Sequence, residues 1–136
     1  MLDETFHWFP NETGGLLAGY ADKKGNVVIC RVTKSGPRAI HKTHSYIPDY
    51  DYDVERIKRI YKGSKKLQVY QGDWHVHPKS GAYLSKRDQE TLSNIAKFEE
   101  ARISTPVMIV LGTSPFELKC WQLVDSVPRE LSVTLY

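Results

Sequence analysis

The stretch Leu67-Gln-Val-Tyr-Gln-Gly-Asp-Trp-His-Val-His77, closed by Pro78, decides the fold. Its residues alternate as a β-strand requires, with side chains at i and i+2 on one face. Asp73, His75 and His77 therefore share a face, and Trp74 and Val76 take the other, packed one. Pro78 has no N–H to continue a ladder, so the strand is predicted to end there and the chain to turn away. Lys79 to Leu84 reads as a loop. Ser85-Lys-Arg-Asp88 then has the features of a helix start: a serine that can cap free N–H groups, and an acid in the first turn that suits the helix dipole. Leu92, Ile95, Ala96 and Phe98 mark the buried stripe of this helix, predicted to run to about Ala101.

Further strands lie on both sides. Downstream are Pro106-Val-Met-Ile-Val-Leu-Gly112 and Phe116 to Val124, with Leu131 to Tyr136 as one more candidate. Upstream, Gly14 to Tyr20 and Asn26 to Val32 read as two strands joined by a turn at Ala21-Asp-Lys-Lys-Gly25. Leu2 to Phe9 has the composition of a short helix. Val54, Ile57, Ile60 and Tyr61 recur at helical spacing, with Arg56, Lys58, Arg59 and Lys62 mostly on the other face. Lys34 to Asp49, with Gly36-Pro37 and Pro48, holds neither period and is predicted to be an irregular loop long enough to line a groove. The expected fold is a mixed α/β sheet with flanking helices.

With 136 residues, of which 40% are hydrophobic and 26% charged, the chain has the size and composition of one self-sufficient core, read as a single domain over residues 1–136. A disordered or collagen-like chain is excluded, and any metal is expected to serve chemistry rather than folding. The net charge of +3 does not by itself call for a nucleic-acid partner, and none is expected. No apolar run reaches the roughly 18 residues of a membrane span, and the start lacks the pattern of a secretion signal, so no membrane is expected and the location is expected to be cytoplasmic. Cys30 and Cys120 lie in strand-like runs without Cys-x-x-C spacing and are expected to be buried free thiols.

His75-x-His77, followed eleven residues later by Asp88, is the sharpest chemical feature. On one strand face the two imidazoles are about 7 Å apart along the chain and can converge on one ion. A helix starting near Ser85 can return Asp88 over the strand end. Two histidines and a carboxylate with a fourth position open is the composition of a catalytic zinc site. Read separately, the histidines also suit a hydrogen-bonded pair, and Asp88 a first-turn acid. Spacing alone does not choose a general base among the 16 acidic residues. Asp73, in phase with His75, is either its hydrogen-bond acceptor or a solvated strand-edge acid. His41 and His44 lie in the loop before Pro48, where they can touch a substrate. They are not needed as ligands. The run from Arg56 to Lys66 is either the solvated face of a helix or a docking face for an acidic partner.

His75-x-His77-Pro78 followed by Ser85-x-x-Asp88, with seven residues between His77 and Ser85, resembles the JAMM motif of the MPN/JAB-domain metalloproteases. Pro10-Asn-Glu12-Thr-Gly-Gly-Leu-Leu-Ala-Gly19 is similar to that family's glutamate followed by a Gly-rich apolar strand. Ser35-Gly36-Pro37 and Gly72-Asp-Trp-His-Val-His-Pro78 resemble the compact prokaryotic forms. The family normally has Ser or Thr where Val76 stands, on the face away from the ligands.

The resemblance implies an MPN/JAB-like fold of cytidine-deaminase-like architecture. It also implies a Zn2+ ion on His75, His77 and Asp88, Glu12 as general base and later acid, and Ser85 as donor to the developing oxyanion. The implied reaction is hydrolysis of an amide, commonly the isopeptide bond between a ubiquitin-like C-terminus and lysine. The prokaryotic subgroup implies E1- and E2-like ligase proteins as possible partners in anti-phage defence. The same fold also serves as a non-catalytic interaction module, in which the ligands are usually lost. A zinc nucleobase deaminase needs His-x-Glu and a downstream Pro-Cys-x-x-Cys, and neither is present. Substrate recognition is expected from the loops around 37–48 and 79–84 or from a partner, and Gly81 and Ala82 suit either a close substrate approach or an ordinary turn.

Overall fold

A computed structural model describes residues 1–136. Its elements in chain order are α1 (Leu2–Trp8), β1 (Gly14–Ala21), β2 (Val27–Val32), β3 (Ile40–Lys42), β4 (Ser45–Ile47), α2 (Tyr50–Gly63), β5 (Val69–His77), α3 (Lys86–Lys97), β6 (Val107–Thr113), β7 (Phe116–Val124) and β8 (Val127–Leu131), with a short 3-10 turn at Glu99–Ala101. Six strands form one sheet in the order β2-β1-β5-β6-β7-β8. Only β5 and β6 are parallel, and α3 is the connection between them. All other neighbours are antiparallel; short turns join β1 to β2, β6 to β7 and β7 to β8, whereas β1 and β5 meet across the intervening β2, β3–β4 and α2. The mixed α/β sheet with helices against it is the architecture expected from the sequence.

The central strand β6 packs on both faces, which is why Val107 to Leu111 is an unbroken apolar run. Val107 and Ile109 join Leu17, Trp74 and Cys120 in one cluster, and Met108 and Val110 join Ala82, Leu92 and Leu123 in the other. Trp74 and Val76 are each 1% exposed, so β5 buries them on one side and turns His75 and His77 to the other. In the β5–β6 register His75 pairs with Val110, so the histidines lie on the face that α3 covers through Leu92. Gly72, at φ +149°, lets β5 approach β6 closely, because a Cβ there would fall 1.8 Å from the Val107 carbonyl oxygen.

Several expectations are corrected. The supposed irregular loop 34–49 contains the β3–β4 hairpin, in which His41 pairs with Tyr46. Cys30 is exposed on the edge strand β2, which has no neighbour on its outer side; Cys120 is buried as expected. In α2 Val54, Ile57 and Ile60 are half-buried and Lys58, Arg59 and Lys62 exposed, as expected, but Tyr61 is exposed and the fully buried residue is Asp53. Helix α3 stops at Lys97 and leaves Phe98 exposed, and the last strand is Val127–Leu131, upstream of the stretch expected to form it. Ala82 is a core residue, and Gly81 packs against Gly112, so the pair lines the sheet rather than an open cleft. No helix is long and apolar enough to cross a membrane.

Candidate metal centre

Strand β5 ends where the chain leaves the sheet for α3, and the carboxyl ends of parallel strands are where open α/β sheets form their sites. His75 Nε2 and His77 Nε2 are 2.9 Å apart there. Asp88 reaches them from the first turn of α3, with Oδ1 3.1 Å from His75 Nε2 and Oδ2 3.3 Å from His77 Nε2. His77 and Asp88 are buried, and His75 is largely so. The three residues form the group of His, Cys, Asp or Glu side chains whose ligand atoms converge closely enough to hold one metal ion.

The donor set fits a metal. Ligands 2.0–2.1 Å from a tetrahedral ion lie about 3.3 Å from one another, and the observed separations of 2.9, 3.1 and 3.3 Å approach that edge length. Burial works to raise the Asp88 carboxyl, but the two histidines and the Ser85 N–H outweigh it and hold the group well below the usual carboxylate range. Asp88 is thus an anion ready to meet a cation. His77 Nδ1 is buried without a hydrogen-bond partner.

Ser85 is the N-cap of α3. Its hydroxyl accepts from the Asp88 N–H at 3.1 Å, and its own N–H donates to Asp88 Oδ2 at 2.9 Å, a reciprocal capping box. The hydroxyl hydrogen remains free to donate. Tyr83, exposed, sets its ring 4.7 Å from that of His77, in the 79–84 loop expected to meet substrate.

Glu12 sits just before β1, half-buried, and interacts electrostatically with His75, His77 and Asp88. Burial raises its carboxyl above the ordinary range, and the two histidines pull it partly back. The next residue, Thr13, accepts from the Val76 N–H through its carbonyl at 3.0 Å, which fixes this segment to β5. On the other side, buried Glu4 of α1 accepts from Trp8 Nε1 at 3.1 Å, from the Ser35 N–H at 3.2 Å and from the Ser35 hydroxyl.

Asp73 does not orient His75. It accepts from the Tyr70 hydroxyl at 2.6 Å instead, because the bulged β1–β5 pairing near Gly72 brings Tyr70 back beside it. His44 lies exposed at the hairpin tip, away from the ligand cluster. His41 binds main chain next to the site, on a hairpin whose strands are only three residues each.

The profile of prokaryotic homologs of the JAB domain matches residues 1–124. The chain belongs to this family. A probable metalloprotease, y4qB of Sinorhizobium fredii (strain NBRC 101917 / NGR234), is 35% identical over 116 residues, which are 85% of this chain and 71% of that protein. The solution structure of protein DSY2949 from Desulfitobacterium hafniense aligns over 100% of this chain and 86% of its own with a TM-score of 0.69, at 19% identity, a likeness of fold. JAB-family membership and the y4qB relative support a metalloprotease-like function, and the His-His-Asp cluster fits the metal ion such a function needs.

Proposed function

We propose that this JAB-family chain is a zinc-dependent peptidase that hydrolyses the amide, typically an isopeptide, joining a ubiquitin-like C-terminus to an amine. The observation that carries the reading is the convergence of His75 Nε2, His77 Nε2 and the Asp88 carboxylate, with the half-buried Glu12 within their electrostatic reach. Two imidazoles and one carboxylate suit zinc and leave a position open. When bound there, the ion supplies Lewis acidity and makes a water acidic near neutral pH.

The chain's own residues supply the rest. Glu12, with its affinity for a proton raised by burial, takes one from water and returns it to the leaving amine. Ser85 directs its free hydroxyl hydrogen at the carbonyl oxygen as negative charge develops. The carbonyl carbon gains the water oxygen and the nitrogen departs as an amine carrying the returned proton, so no further reactant is needed. In the prokaryotic setting, E1- and E2-like ligases would make the conjugates that this enzyme removes, with anti-phage defence as the context.

The test is metal content by emission spectrometry together with cleavage of a ubiquitin-like protein joined through its C-terminus to a lysine side chain. Stoichiometric zinc, cleavage by wild type and loss of cleavage in Glu12→Gln are expected. Full activity in Glu12→Gln, or no stoichiometric zinc, would overturn the reading.

A further inference from the structure

The structure surrounds Glu12 with main-chain contacts from the β3–β4 hairpin. Its N–H donates to the Lys42 carbonyl at 2.8 Å, and its carbonyl oxygen lies 3.0 Å from His41 Nδ1. A carbonyl oxygen can only accept, so His41 Nδ1 carries the proton of this bond, and Nε2 is the ring's other nitrogen. That Nε2 is buried and without a partner. The ring has little freedom to turn. It stacks on Trp8 of α1 at a centroid distance of 3.4 Å and 8° between planes, and Tyr46 lies against it at 5.3 Å. Trp8 is itself anchored through Nε1 to Glu4.

Tyr46 also packs against the start of β1, since a Cβ on Gly14 would lie 2.9 Å from its ring. Gly14 pairs in register with His75. The hairpin therefore touches the segment on both sides of Thr13 while β5 holds Thr13 itself.

We propose that His41 is a positioning residue for Glu12: its Nδ1–H, locked by the Trp8 stack, clamps the Glu12 carbonyl and sets where the carboxylate stands relative to His75, His77 and Asp88. The assignment rests on the reading of Glu12 as the proton carrier. A hairpin that carries no metal ligand thus governs the base. Displacement of a reacting group by about 1 Å can cost about a hundredfold in rate, so losing the clamp acts on kcat and leaves metal binding intact.

Three variants separate the donor from the stack. His41→Phe keeps an aromatic ring against Trp8 without a donor; His41→Asn places an amide N–H where Nδ1–H stood; His41→Ala removes both. On the ubiquitin-like isopeptide substrate, His41→Phe is expected to lower kcat roughly ten- to a hundredfold, with KM and zinc content unchanged, and His41→Asn to recover most of the loss. Wild-type kcat in His41→Phe would overturn the assignment. So would losses that follow melting temperature across all three variants, which is the outcome of a purely structural ring.

A second readout needs no metal and no substrate. Long-range 15N–1H spectra of the metal-free protein should show a proton on His41 Nδ1, and a ring protonated on Nε2 alone would overturn the clamp. If wild-type enzyme loaded with zinc cleaves nothing, the proteolytic reading fails and takes the catalytic consequence with it, while the tautomer decides the hydrogen bond on its own.

Discussion

Ser85 and Asp88 hold each other. The serine hydroxyl accepts from the Asp88 N–H, and the Asp88 carboxylate accepts from the Ser85 N–H. The same carboxylate faces His75 and His77. One carboxyl group thus starts a helix and completes a ligand triangle, and the ligand is placed as accurately as the helix end that it caps.

Ser85 therefore has two separable duties. Ser85→Ala should cost about 1 kcal/mol of stability through the lost cap, and also lower kcat. Ser85→Thr, which keeps a hydroxyl, should recover the stability. Urea unfolding midpoints beside steady-state rates check this, and an alanine variant of unchanged kcat would remove Ser85 from the chemistry.

Metal should stabilise the fold only when the triangle is intact. Ion at a hundred times its dissociation constant adds about 2.7 kcal/mol to a protein that binds it only when folded. Zinc should raise the melting temperature of wild type and leave His77→Ala unmoved, and a chelator should reverse the wild-type shift. Equal shifts in both proteins would place the ion elsewhere.

Asp53, 5% exposed on α2, has its carboxyl raised from 3.8 up to about 7, first by burial and then by the negative charges of Asp73 and Asp49. Between these two pH values the unfolded chain has released the proton and the folded chain still holds it, so stability falls as pH rises and levels off above about 7. Asp53→Asn removes this slope. Relative to wild type it should gain stability from pH 5 to pH 8, on the order of a few kcal/mol at most. Denaturant midpoints at both pH values measure it, and a difference between the two proteins that does not change with pH contradicts it.

Gly72→Ala should be among the most damaging single changes. Its Cβ would meet the Val107 carbonyl oxygen at 1.8 Å in a backbone conformation at φ +149°. A loss of more than about 3 kcal/mol is expected. Gly63→Ala is the control: nothing lies within 4 Å of its Cβ at the end of α2, and helix propensity predicts a gain of up to about 1 kcal/mol.

The parts of this molecule legible in the sequence are those in which a local rule and the tertiary structure agree. Alternation placed His75 and His77 on one face, with Trp74 and Val76 on the other, because β5 packs in the interior of the sheet. Ser85 and Asp88 marked a helix start because a capping box lies within four consecutive residues. The hairpin carrying His41 was not visible: each of its strands is only three residues long, too short for alternation to stand out. No pattern within α2 reveals Asp53 as its buried residue, since the sheet that the helix packs on, and the charge of Asp73 on β5 that raises its carboxyl, lie elsewhere in the chain. The exposure of Cys30 is not legible, because an apolar run does not disclose whether its strand lies at a sheet edge. Glu12 was reached through resemblance alone, since its relation to the histidines exists only after β1 pairs with β5.

That separation has a consequence for how the protein is handled. His75, His77 and Asp88 all fall between residues 75 and 88, whereas Glu12 is 63 positions upstream of His75. Bringing the ligands together closes a short loop; bringing up the base closes a long one, which costs more chain entropy. A preparation with a frayed N-terminal half can therefore carry a full complement of metal and turn over nothing. Ion stoichiometry counts assembled triangles, and only titration of working sites counts enzymes.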